Sequence, residues 1–344
     1  MDYLLTLIPV VFVLLAGASS TKKETDVTLF SKNYTNALKS ICCIIVVMVH
    51  FPPLFQNRVQ DLIGSFAYVC VTLFFMISSY GMELSVEKNP DYLRHFWRNR
   101  LVSLLIPCAI VNLFAYAASM LIKGSDTPAD ILWTINSYVL ILLEYCMWFY
   151  CIQLMRRKLN ITKHWIVDGL LIAGVVASSL FLYLPGKSDD IGVAMGWCYE
   201  RYGLIWGILL YRFMPRIKGW LTGHRGTKLI LFMVLSMLLG LAYLKYKTVY
   251  FYGEYLLKII LGFVIIVFLL LVTIGREYGN RIIIYLSAIS FEVYLIHGFV
   301  IGSLEALAPE LSSGKFIILA YAITVIFADV AHRISKIFVR RLRA

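Results

Sequence analysis

Two residues that hydrocarbon tolerates poorly, Lys39 and His50, stand eleven positions apart in an otherwise apolar stretch. At about 100° per residue that interval exceeds three full turns by only about 20°. A continuous helix would therefore carry both on one stripe, about 16 Å apart along its axis and facing one cavity. There an imidazole could take a proton from a hydroxyl, and an ammonium could hold an anionic group. A snorkelling lysine and a hydrogen-bonded core histidine also account for the spacing. Farther along, Ser290, Tyr294 and His297 fall at relative positions 0, 4 and 7 of a helix and form a second polar stripe, from which Glu292 points away. Two separate apolar stretches each present one histidine, a coincidence that favours an intramembrane site. Glu83, Glu144, Asp168, Glu200, Arg201 and Asp329 are the other ionisable residues in such stretches; they are expected to reach headgroups or to pair between helices.

The elements that must position these residues are membrane spans. Of 344 residues, 60% are hydrophobic and only 15% charged, which rules out a water-soluble enzyme. Apolar runs long enough to cross about 30 Å of hydrocarbon lie at 3–18, 36–55, 62–84, 101–122, 131–155, 165–184, 191–213, 229–244, 255–274, 282–303 and 316–334. Polar connectors such as Lys123-Gly-Ser-Asp-Thr-Pro128 and Pro185-Gly-Lys-Ser-Asp-Asp190 separate some of them. The seven cysteines sit inside apolar runs without paired C-x-x-C spacing, so they read as small core residues; neither a disulfide scaffold nor a metal site is expected.

The net charge of +12 reflects membrane insertion and needs no nucleic-acid partner. Twenty-four Lys and Arg residues fall on one set of connectors and the C-terminal tail, and seven on the opposite set. The basic side and the C-terminus are therefore expected to be cytoplasmic. The first run could be a signal peptide ending near Ser19. It lacks a basic start and is followed by Lys22 and Lys23, so a retained helix is the preferred reading.

The segment from Ala37 through Lys39 to His50 resembles the Arg/Lys-x10-His signature of the membrane-bound acyltransferase family 3. Further segments follow in order. Leu73-Phe-Phe-Met-Ile-Ser-Ser-Tyr80 is similar to the family's Phe-Phe-x-x-Ser-Gly-Tyr, and Arg98-Asn-Arg-Leu-Val-Ser-Leu-Leu-Ile-Pro107 to its basic loop entering the third core helix. Met147-Trp-Phe149 resembles its Leu-Trp-Phe element, and the segment from Tyr202 to Arg212 its Gly-containing sixth helix. Ile289-Ser-Phe-Glu-Val-Tyr-Leu-Ile-His297 is close to its Ile-Ser-Tyr-x-x-Tyr-Leu-x-His segment. Ser79 stands where the family usually has glycine, and Ser103 where a second basic residue is common.

The resemblance implies an all-α, polytopic transmembrane helix bundle with a ten-helix core plus one extra N-terminal helix. The expected divisions are 1–32 for that helix and a cytoplasmic linker, 33–334 for the acyltransferase domain, and 335–344 for a basic cytoplasmic tail. No fused esterase-like domain is expected. The implied activity is transfer of an acyl group, most often acetyl, from cytoplasmic acyl-CoA to a hydroxyl of a cell-surface polysaccharide or its lipid-linked precursor. It would proceed at the plasma (inner) membrane, beside membrane lipid and polysaccharide-synthesis machinery, with acyl-CoA as donor substrate and no permanently bound cofactor. Arg98, Arg100 and Lys39 would hold the donor, and His50 would act as base or as an acylated nucleophile. Ser78, Tyr294 or His297 would stabilise the oxyanion. A secondary transporter using Glu144, Glu200 and Glu292 as ion sites and a non-catalytic subunit of a polysaccharide export assembly are the rival readings.

Overall fold

The computed structural model describes residues 3–22, 29–55, 57–124, 127–183 and 197–343. Its helices are α1 (Leu4–Ala18), α2 (Lys32–Val49), α3 (Arg58–Phe66), α4 (Tyr68–Lys88), α5 (Phe96–Lys123), α6 (Ser137–Lys158) and α7 (His164–Tyr183). They continue with α8 (Tyr202–Arg212), α9 (Met214–Thr222), α10 (Arg225–Tyr246), α11 (Leu257–Thr273), α12 (Arg281–Leu307) and α13 (Ser313–Arg343). Among the described residues the only sheet is one short antiparallel pair, β1 (Ser20–Lys22) with β2 (Arg276–Tyr278).

Among the described residues, eight helical stretches are long and apolar enough to cross a membrane. The molecule is an all-α membrane protein. Three of the expected runs fall outside those eight. The first is the 15-residue α1. The run 191–213 is described only from residue 197, and the connector 185–190 lies outside the described residues, as do 23–28 and 125–126. The run 36–55 is cut short: α2 stops at Val49 with His50 as its C-cap, because Pro52 and Pro53 follow and the residue before a proline avoids the helical region.

Two other boundaries differ from the hydropathy reading. Arg98 and Arg100 belong to the opening turns of α5, not to a loop, since Phe96 is fully buried and starts the helix early. The basic segment after residue 334 is not a separate tail, for α13 runs on as a helix to Arg343.

Capping defines several starts. Ser31 accepts from the Tyr34 amide at 3.2 Å, Asn136 from Tyr138 at 2.9 Å and Asn280 from Ile282 at 2.8 Å. Packing forms two large apolar clusters, one around α4, α6 and α8 and the other around α2, α12 and α13, and Phe74 touches both. Polar contacts join α2 to its neighbours: Ser287 Oγ donates to Asn36 Oδ1 at 3.0 Å, and Tyr321 OH to the Ile44 carbonyl at 3.1 Å. Outward faces are apolar, as on α10, where Ile230, Met237, Leu238 and Leu241 are exposed. Six cysteines are buried as expected; Cys151 is exposed, on the same face of α6 as Met147 and Trp148.

Helices α4 and α8 pack in close contact. A Cβ at Gly203 would collide with the Thr72 carbonyl, and one at Gly207 with Ser79 Oγ and the Met76 carbonyl. Gly207→Ala is therefore expected to destabilise the protein by about 1–3 kcal/mol, read as a lower unfolding midpoint in detergent. The double variant Ser79→Gly/Gly207→Ala should recover part of the loss, because one of the colliding atoms is gone. An unchanged midpoint in Gly207→Ala would contradict this packing.

Candidate functional site

A cavity of about 560 Å³ is walled by the first apolar cluster, with Phe74 shared with the second. α4 contributes Phe74, Ile77, Ser78, Gly81 and Ser85, positions that share one helical face. Lys39 enters from α2, Arg100 and Ser103 from α5, Tyr138 from α6, and Ser287, Ser290 and Tyr294 from α12. Two cations and no carboxylate are among its lining residues.

Within it, Arg100 is oriented by Tyr92, whose hydroxyl accepts from Nη2 at 2.7 Å, and its guanidinium lies 5.8 Å from the centre of the Phe96 ring. Ser78 Oγ donates to the Phe74 carbonyl at 2.8 Å and approaches Tyr138 OH at 3.5 Å. Ser103 Oγ bonds the Asn99 carbonyl one turn back. Tyr138 and Tyr294 meet edge to face with ring centres 5.4 Å apart.

Tyr294 links the cavity to a histidine pair. Its ring centre is 5.9 Å from that of His297, which in turn is 4.6 Å from that of His50. His297 is 6% exposed. Its Nδ1 lies 3.2 Å from the Val293 carbonyl, and its Nε2 is enclosed with no hydrogen-bond partner among the described residues. His50 Nδ1 is 2.7 Å from the Val46 carbonyl. A carbonyl can only accept, so Nδ1 carries the proton in both rings, and each neutral imidazole keeps its lone pair on Nε2.

The sequence places Lys39 and His50 in one cavity, and this is corrected. Lys39 lines the cavity; His50 does not. His50, the C-cap of α2, meets His297 beyond Tyr294, and neither histidine is among the residues that line the cavity. His50 is also exposed at the surface of the protein rather than enclosed within the bundle. Of the donor-binding candidates, Arg100 and Lys39 line the cavity, while Arg98 is exposed and outside it. Ser78 and Tyr294 line it, and His297 lies just beyond Tyr294. Ser79, the departure from the family pattern, faces α8 instead.

Among the polar lining residues, Ser85, Tyr138 and Ser287 were missed by sequence reasoning. Ser287 was accessible by extending the Ser290–Tyr294 stripe one turn toward the N-terminus. Tyr138 carried no such signal, since only tertiary packing brings α6 to the cavity.

The remaining intramembrane charges are largely paired across helices. Arg212 grips both carboxylate oxygens of Asp168 at 2.8 and 2.9 Å and reaches Glu83 at 3.5 Å. Arg201 pairs with Glu144 at 2.7 Å, and His332 meets Glu292 at 3.1 Å. Glu83 and Asp168 thus reach a partner helix rather than headgroups. Asp329 pairs within its own helix, with Arg333 at 2.8 Å. Glu200 is buried, and its Oε2 has no partner among the described residues. No group of three His, Cys, Asp or Glu residues suited to a metal ion occurs among the described residues.

No curated protein and no solved structure gives a significant match to the chain. A family model described as an acyltransferase domain matches residues 32–333. That range begins at the first residue of α2 and spans the cationic cavity and both histidines. With most of its length covered and its apolar helices arranged around that cavity, the chain belongs to acyltransferase family 3 and is a multi-pass membrane acyltransferase.

Proposed function

We propose that the protein moves an acyl group, acetyl in the first instance, from acyl-CoA to a hydroxyl of a cell-surface polysaccharide or its lipid-linked precursor. The observation that carries this reading is the continuity from a cation-lined cavity, through Tyr294, to paired imidazoles of which one is exposed. Lys39 and Arg100 suit the phosphates of the donor as charge-assisted partners. The cavity's apolar walls, Phe74, Ile77, Leu104 and Phe291, suit a thin pantetheine arm.

In the reaction, His50 Nε2 takes the proton of the acceptor hydroxyl as its oxygen attacks the thioester carbonyl. The hydroxyl of Tyr294 is the available donor for the oxyanion, and Ser78 can join it by releasing its bond to the Phe74 carbonyl. The tetrahedral intermediate collapses by breaking the C–S bond, and the departing thiolate of CoA receives the proton from the His50 imidazolium. His297, with its lone pair on Nε2, serves better as an acceptor that orients the incoming hydroxyl than as an oxyanion donor. The exposure of His50 leaves it open to a bulky acceptor.

The basic connectors and C-terminus are assigned to the cytoplasm and the protein to the plasma (inner) membrane, with polysaccharide-synthesis machinery as a natural partner. Cysteine-labelling or reporter fusions at the C-terminus test this: cytoplasmic reporters should be active there, and activity of periplasmic or external reporters would reverse the assignment.

His50→Ala should lower kcat by about a hundredfold or more in protein that remains monodisperse and inserted, and mass spectrometry of surface glycans should show the same ester loss as a deletion strain. Full activity in that variant would end the proposed role of the residue. Lys39→Ala should raise the donor KM about tenfold or more, the scale of one charged hydrogen bond, with acceptor KM unchanged. A change confined to acceptor KM would remove Lys39 from the donor site.

A further inference from the structure

A second polar cavity, of about 500 Å³, lies across α4 from the one containing Lys39. The two share no lining residue: Ser85 faces one, and Val86 and Glu87 face the other. The second is built by the α6–α7 hairpin, with Gln153, Arg156 and Arg157 from the last turns of α6, Asn160, Ile161 and Thr162 from the connector, and His164 from the start of α7.

Three features mark it as a ligand site rather than a solvated basic loop. Gln153 is 2% exposed, lines the cavity, and its amide Nε2 is enclosed without a hydrogen-bond partner among the described residues. A buried amide left unpaired costs about 1–3 kcal/mol, which a ligand acceptor would remove. His164 is in the same position: Nδ1 is enclosed and unpartnered, while Nε2 faces Arg156 Nη2 at 3.4 Å. Finally, Arg157 is held by a hydrogen bond from Nη2 to the Pro90 carbonyl, which fixes its guanidinium at the rim. Two guanidinium charges face one carboxylate, Glu87, so the lining is net positive.

Unsatisfied donors beside two guanidinium groups call for an anion with several acceptor oxygens. We propose that this cavity is a second anion site that binds a phosphate group, separate from the donor cavity and independent of the acyl-transfer reading. The phosphate can come from a lipid headgroup or from a soluble phosphate compound.

The test uses the full-length protein. In detergent, the unfolding midpoint is followed against inorganic phosphate, with sodium chloride at equal ionic strength as reference; in nanodiscs, phosphatidylcholine alone is compared with phosphatidylcholine plus phosphatidylglycerol. The expected result is a rise in midpoint with at least one probe. Phosphate acting in detergent identifies a soluble ligand, and phosphatidylglycerol acting while phosphate is inert identifies a lipid headgroup. Arg157→Gln and Gln153→Leu should each weaken the responding probe about tenfold or more, while Arg100→Gln, in the other cavity, keeps the response. If Gln153→Leu does not fold, Arg157→Gln decides, because its contacts are at the rim. No shift with either probe, or an undiminished shift in Arg157→Gln, overturns the proposal whether or not acyl transfer is confirmed.

Discussion

A polar cavity inside a bundle that faces lipid exists only where helices are pressed together on one side and held apart on the other. α4 meets both requirements at once. Toward α8 its backbone touches Gly203 and Gly207, with no room for a side chain on either glycine. Toward α12 it presents Phe74, Ser78, Gly81 and Ser85, spaced so that all line the opening. The close crossing anchors the helix without using the face that the site needs. Small residues suit this task in hydrocarbon, where dispersion contacts at short range replace the hydrophobic effect as the source of helix association.

The charged residues inside the bundle divide in the same way. Asp168 and Glu83 both pair with Arg212 across three helices, and Glu144 on α6 pairs with Arg201 at the start of α8. Removing one partner from such a buried pair typically costs about 3–5 kcal/mol, so these contacts hold the helices in place whatever their net contribution. Lys39 and Arg100 differ because no carboxylate faces them in their cavity. Arg100 is held by Tyr92 and the Phe96 ring rather than by a carboxylate, which is the arrangement expected where an anionic substrate enters and leaves.

The histidines occupy a transition between these environments. His297 is enclosed, whereas His50 sits at a helix end that two prolines force open. Backbone carbonyls one turn earlier orient both rings in the same way, at Val46 and Val293. The helices themselves thus set the tautomer, with no acidic residue required.

Membrane location, helical class, the order of family motifs and the polar cavity residues Lys39, Ser78, Arg100, Ser290 and Tyr294 were legible in the chain alone, because each depends on residue type or on spacing within a single helix. Hydropathy marks spans regardless of their neighbours, and the Ser290–Tyr294–His297 stripe needs only the helical repeat. The placement of His50 fell short because the cavity's lining stops at Tyr294, with both histidines beyond it, and spacing within one helix cannot show where a cavity ends. Tyr138 opposite Ser78, Arg100 beside Tyr92, the meeting of two histidines from α2 and α12, and the Gln153 cavity were decided only in three dimensions. They join residues whose separation along the chain carries no periodic signal, and lipid-facing and site-facing surfaces are distinguished by which helix lies alongside.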